Sequence, residues 1–80
     1  WRPSDAAHPV AQLYGLSPAE TRLALALVRG LRLDEIADEF GLSRNTVSYT
    51  LKNLFRKTET DRQADLISLF MSTPMALGGD

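Results

Sequence analysis

Residues 33–52 read LDEIADEFGLSRNTVSYTLK, and this stretch decides the fold of the 80-residue chain. Its apolar spacing predicts two helices, 33–40 and 44–57, with only a short break between them. Gly41 at the break tolerates the left-handed φ that a tight turn requires. Ser43 then supplies the side-chain oxygen that caps the second helix. The stretch therefore predicts two helices joined by a tight turn.

The apolar residues of this stretch fit two helices that cross closely. Ala37 provides a small side chain at the expected crossing, four residues before the glycine. Val47 and Leu51 are spaced to pack the second helix against Ile36 and Phe40. This pattern predicts a helix-turn-helix, a motif whose second helix enters the major groove of DNA.

Start and stop signals predict further helices on both sides of the motif. Residues 10–14 fit a short helical turn, and Ser17-Pro18-Ala19-Glu20 is a capping box opening a helix that stops at Gly30. Residues 60–63, Thr-Asp-Arg-Gln, form a second capping-box pattern, and we expect the last helix to run to Ser72. Strand signals are absent, so the predicted class is an all-α, four-helix domain.

The predicted organisation has three parts. Residues 1–15 are expected to be an N-terminal tail or linker with a short helical turn, 16–73 the helical domain, and 74–80 a flexible C-terminal tail. The sequence starts without a methionine, which predicts a fragment of a longer protein.

Composition excludes several classes of function. The chain has no cysteine, so disulfides and cysteine-ligated zinc are excluded, and its one histidine, His8, leaves little for a metal site or a Ser-His pair. Without a glycine-rich phosphate loop or a nucleophile–base pair, we expect no enzyme, catalytic residue, metal or cofactor. No apolar run is long enough for a membrane span. The lack of cysteine also fits a reducing compartment, and we expect a cytoplasmic protein.

Charge is unevenly distributed although the formal net charge is only −1. Residues 34–39 carry four acids and no base, whereas 44–62 carry five Lys or Arg and two acids. The second half of the chain therefore carries a local surplus of positive charge. Partners are steered by this local field and not by the total charge of the chain.

A resemblance to a known family extends over residues 16–72. The residues that carry it are Leu16-Ser17-Pro18, Glu20, Gly30-Leu31, Glu35-Ile36-Ala37, Phe40-Gly41-Leu42-Ser43, Thr46-Val47, Lys57 and Arg62-Gln63-Ala64. With this spacing, the chain resembles the LuxR-type (GerE-type) DNA-binding domain of bacterial transcription regulators. The resemblance implies binding to double-stranded DNA, a position behind a sensory or receiver domain, and a homodimer formed through the last helix, 60–72.

The same resemblance implies roles for individual residues. The predicted DNA-binding residues are Arg44, Asn45, Thr46, Ser48, Tyr49, Lys52, Asn53, Arg56, Lys57 and Arg62; the predicted dimerisation residues are Leu66, Leu69 and Phe70. The first turn of the second motif helix suits phosphate contacts, and its outer face suits base edges. The family's usual lysine is replaced by Ser48 and its usual histidine by Thr50, which predicts a different target sequence.

Several alternatives stay open at this point. Asn45 can reach a base instead of a phosphate, Thr46 can bond the local backbone, and Tyr49 can cover apolar surface. The apolar residues of the last helix can face a partner or the core. A sigma-factor promoter-reading domain shares the helical arrangement, and a helix-turn-helix that only docks proteins is a further class.

Overall fold

The computed structural model of the chain describes residues 8–72, which contain five α-helices and no strand. The helices are α1 (Pro9–Tyr14), α2 (Pro18–Val28), α3 (Leu33–Phe40), α4 (Arg44–Thr58) and α5 (Gln63–Ser72). The predicted all-α class is confirmed, and the expected short turn is a separate first helix. The predicted C-terminal tail, 74–80, lies outside the described residues.

The core lies between α2 and the two helices that pack most extensively against it, α4 and α5. The buried apolar cluster is Val10, Leu23, Ala24, Ala26, Leu27, Ile36, Ala37, Val47, Leu51, Leu54, Leu66 and Phe70. Val10 of α1 is fully buried. The stretch expected to be a tail or linker therefore contributes to the core of the domain.

The turn between α3 and α4 has the geometry that the motif requires. Gly41 adopts φ 67° and ψ 34°, the left-handed conformation. The next amide, Leu42 N–H, donates to Ala37 O at 2.9 Å and closes the end of α3. Ile36 and Val47 are both buried in the same apolar cluster, through which α3 and α4 pack against each other. The predicted helix-turn-helix is confirmed.

The capping box at the start of α2 is confirmed. Ser17 Oγ accepts from Glu20 N–H at 3.1 Å, and Glu20 Oε1 accepts from Ser17 N–H at 2.8 Å. Ser43 likewise caps α4 by accepting from Thr46 N–H at 3.1 Å. These caps set where α2 and α4 begin.

The second predicted capping box is wrong. Helix α5 begins at Gln63, so this residue occupies the first helical position and not the third. Thr60 instead completes the end of α4: its N–H donates to Phe55 O at 3.0 Å, across Glu59 in the left-handed conformation. A threonine whose backbone closes one helix is not placed to cap a helix that starts three residues later.

Candidate nucleic-acid interface

Helix α4 divides into a buried stripe and an exposed face. Its buried residues are Val47, Leu51, Leu54 and Thr58. Asn45, Ser48, Tyr49, Lys52 and Arg56 are exposed on the other side, and we call them the α4 outer face. Tyr49 is 68% exposed, so it does not serve to cover the core. The core stripe therefore holds α4 rigidly while a polar and aromatic face points outward.

Lys52 is distinct among the basic residues of this face. In residues 8–72, every other Lys or Arg has an ion pair, a side-chain hydrogen bond or a ring contact. Within this described range, Lys52 has none of these. Its ammonium is therefore available to an anion or base acceptor without the loss of an existing contact.

Two side chains in the first turn of α4, those of Arg44 and Thr46, already have contacts within the domain. Arg44 Nη1 donates to Asp34 Oδ1, an exposed ion pair between the starts of α4 and α3. The hydroxyl of Thr46 lies 3.0 Å from Ser43 Oγ, a local contact with a side chain and not with the backbone. Asn45 is exposed and has no such contact with any residue that the structure describes. The structure thus brings Asn45 and Lys52 to one face with their polar groups uncommitted.

Two further predicted residues have neighbours on their own helices. Arg56 Nη2 donates to Asn53 Oδ1 at 3.1 Å, and Arg62 Nε donates to Asp65 Oδ2 at 3.2 Å. Both arginines are exposed, and contacts this exposed cost little to rearrange. Asn53 is half-buried beside the outer face.

Lys57 makes contacts within the domain, and its place at the interface stays a prediction. Its Nζ lies 2.8 Å from Glu20 Oε1 and 3.4 Å from Gly15 O, joining α4 to the start of α2 and the end of α1. Burial by itself raises the pKa of Glu20, but the bonds from Lys57 and Ser17 outweigh it and hold that pKa below the ordinary glutamate value. The ammonium is therefore committed to a nearly buried carboxylate.

Residues 8–72 contain neither a membrane-spanning helix nor a metal-binding cluster. No helix there is long and apolar enough to cross a membrane. The same residues contain no group of three His, Asp or Glu side chains close enough together to hold a metal ion.

Comparison with known proteins decides the family. Residues 15–70 match the family described as bacterial regulatory proteins, luxR family. The chain belongs to the luxR family. It is also 40% identical over 60 residues to a protein of Hyphomicrobium methylovorum named "Probable transcriptional regulatory protein SgaR". That alignment covers 75% of this chain and 28% of the relative. No solved structure matches the chain.

The luxR-family fold places the expected dimerisation residues differently from the prediction. Leu66 and Phe70 are buried in the monomer, with 0% and 3% exposure, and Leu69 is partly buried against the same cluster. The assignment of Leu66 and Phe70 to a partner surface is therefore corrected, because the core of the domain needs both side chains. The exposed face of α5 is formed by Ala64, Ser68 and Met71, at i, i+4 and i+7.

Two contacts of this luxR-family domain, made by Asp34 and by Arg22, were not predicted from the sequence. Asp34, one of the four acids of residues 34–39, pairs with Arg44. Arg22 of α2 stacks on Phe40 with its guanidinium carbon 4.6 Å from the ring centre, beside a groove of about 150 Å³ that Thr50 also lines. Neither contact follows from a helical period, because each joins two different helices.

Proposed function

We propose that this chain is the DNA-binding part of a transcription regulator, and that α4 reads duplex DNA in the major groove. The relative named as a transcriptional regulatory protein supports regulation as the purpose of binding. Since the chain spans 28% of that relative, we further propose that a sensory or receiver domain precedes it in the full-length protein. The proposal places the protein in the cytoplasm, where bacterial chromosomal DNA is found.

The α4 outer face carries this proposal. Asn45, Tyr49 and Lys52 lie on one exposed side of a helix whose opposite side is fixed in the core. An asparagine amide suits an adenine edge, an ammonium suits guanine acceptors, and a tyrosine ring suits a thymine methyl group. Arg44, Arg56 and Arg62 flank these residues and are proposed to contact phosphates, which position the helix without reading sequence.

Lys52→Ala is the variant that tests base reading. A preferred site is first selected from a pool of random duplexes, and binding to this site and to a mixed-sequence duplex is followed by fluorescence anisotropy. If Lys52 contacts a base, the variant should lose about 1–3 kcal/mol of preference for the selected site. Arg32→Ala is a matched control, because it removes one positive charge from an 85%-exposed side chain outside the outer face.

The outcomes separate DNA binding from a purely protein-docking module. Between about 50 and 200 mM salt, a DNA-binding domain should lose affinity steeply as counterions compete for the phosphates. Salt-insensitive or undetectable binding at micromolar protein contradicts the proposal and favours docking. If Lys52→Ala and Arg32→Ala lose the same amount of preference for the selected site, Lys52 does not contact a base.

We also propose a homodimer through α5, with its exposed face as the contact. Met71 is 68% exposed, and the small residues Ala64 and Ser68 beside it allow close helix approach. Two-fold pairing sets two recognition helices about one duplex turn apart and predicts an inverted-repeat site. The test is to sediment complexes of DNA with the wild type and with Met71→Glu and to compare how cooperatively each protein binds. The charged side chain should abolish cooperative binding. Unchanged cooperativity contradicts the proposed contact.

A further inference from the structure

The pair between Asp34 and Arg44 joins the two helices of the motif at their N-terminal ends. Asp34 is the second residue of α3 and Arg44 is the first residue of α4. Their side chains are 74% and 53% exposed, so the pair lies in solvent beside the start of α4. An exposed pair is weak and is easily exchanged for another anion.

The position of Arg44 makes the carboxylate a competitor of DNA. Arg44 is proposed above to contact a phosphate, and a guanidinium bonds carboxylate and phosphate through the same donors. When Arg44 turns to a phosphate, Asp34 loses its partner and remains as a negative charge near the DNA backbone. Both consequences lower the gain from the new contact.

We propose that Asp34 is an affinity-determining residue that restrains Arg44 and weakens the binding of this domain to polyanions. This inference rests on the proposed DNA-binding function. Lys52, which has no such acidic partner among residues 8–72, then contributes more to discrimination between sequences than Arg44 does. A domain restrained in this way depends less on non-specific phosphate attraction, which every DNA sequence offers equally.

Asp34→Asn tests the restraint, and Asp38→Asn is the matched control. Both variants remove one negative charge from an exposed position of α3, but Asp38 pairs with no basic side chain in the described part of the chain. Binding of the 80-residue chain to a mixed-sequence duplex is measured by anisotropy, with circular dichroism as a check of folding. We expect Asp34→Asn to tighten binding about two- to fivefold, the size of an exposed ion pair, and the control variant to tighten it less.

The salt dependence and a double-mutant cycle show whether Arg44 carries the effect. In Asp34→Asn, the slope of log affinity against log salt should steepen by up to about one unit, the value for one added phosphate contact. In an Arg44→Gln background, the advantage of Asp34→Asn should shrink to that of the Asp38 control. Equal effects of the two aspartate variants, or an advantage that persists without Arg44, overturn the inference while leaving DNA binding intact.

Failure of the proposed function has a separate signature. If the wild type shows no salt-sensitive duplex binding, DNA binding is wrong, and elution from a heparin column then tests the restraint on its own. Elution of Asp34→Asn at higher salt than Asp38→Asn supports the restraint of Arg44. Elution of the two variants together overturns it.

Discussion

Replacing Glu20 with glutamine should destabilise the domain by about 1–2 kcal/mol at neutral pH. The reason is that Glu20 Oε1 accepts two hydrogen bonds at 2.8 Å, from Ser17 N–H and Lys57 Nζ, in a side chain only 8% exposed. Glutamine keeps the shape and an acceptor oxygen but loses the charge. Bonds to charged groups exceed neutral ones by about 1 kcal/mol each, and the smaller desolvation of the amide offsets part of the difference.

The measurement is urea unfolding followed by circular dichroism, with Glu39→Gln as control. Glu39 pairs with Arg29 at 3.1 Å, but both side chains are about half exposed, so the control should cost at most about 0.5 kcal/mol. If the Glu20 variant costs no more than the Glu39 variant, the interpretation of the Glu20–Lys57 pair as a structural anchor is wrong.

The pH dependence provides a second check with a definite sign. The pKa of Glu20 is lower in the folded state than in the unfolded state, so its stabilisation is present above the unfolded value of about 4.3. This stabilisation is lost as the pH falls through the lowered folded pKa. The difference between wild type and Glu20→Gln should therefore close below about pH 4. A difference that does not change with pH refutes the reasoning.

The same pair separates the two roles considered for Lys57. Lys57→Met should destabilise the domain, because it leaves the nearly buried Glu20 carboxylate without its charged partner. It should leave the salt slope of DNA binding unchanged, since the ammonium is committed within the domain. If the salt slope of the variant is shallower by about one unit, Lys57 contacts a phosphate.

Three further predictions concern the scaffold, and each is read from urea unfolding. Ile36→Ala should cost about 2–5 kcal/mol, because this side chain is fully buried; Leu13→Ala, at a 75%-exposed position, should cost less than about 0.5 kcal/mol, and similar costs contradict the core assignment. Glu59→Gly should stabilise by about 0.5–1 kcal/mol, since Glu59 adopts φ 56° at the end of α4; a loss of stability contradicts this strain. His8→Ala should cost about 1 kcal/mol, because His8 Nδ1 accepts from the first turn of α1 and its ring lies 4.8 Å from that of Phe70. Burial lowers the pKa of His8, so this contribution is present above about pH 6.5 and is lost as the pH falls through the lowered folded value; a contribution that grows on acidification contradicts it.

Much of the local structure was predictable because its causes are local. The bounds of α3, the left-handed Gly41 and the Ser17–Glu20 box follow from helical periodicity and capping chemistry within a few residues. The error at Thr60 has the opposite cause. The sequence contains a capping-box pattern there, but the backbone N–H of Thr60 is bonded to Phe55 O at the end of α4.

For the candidate site, the sequence predicted which residues are exposed but not which of its charged residues form ion pairs. Periodicity placed Tyr49 and Lys52 away from the core, and both are exposed. It did not predict that Arg44 pairs with Asp34 or that Lys57 pairs with Glu20, because the partners lie 10 and 37 residues apart in sequence. The availability of a cation depends on which acid the fold places beside it.

The sequence by itself determined the helices, the turn between them and the face of α4 that avoids the core, since these depend on neighbours one to four residues away. Only the tertiary structure decided that Val10 joins the core and that Leu66 and Phe70 of α5 are buried in the monomer. It also decided that Lys52, alone among the described Lys and Arg side chains, has no ion pair, side-chain hydrogen bond or ring contact. Such outcomes depend on where distant segments meet, and that is fixed by the packing of all the helices together.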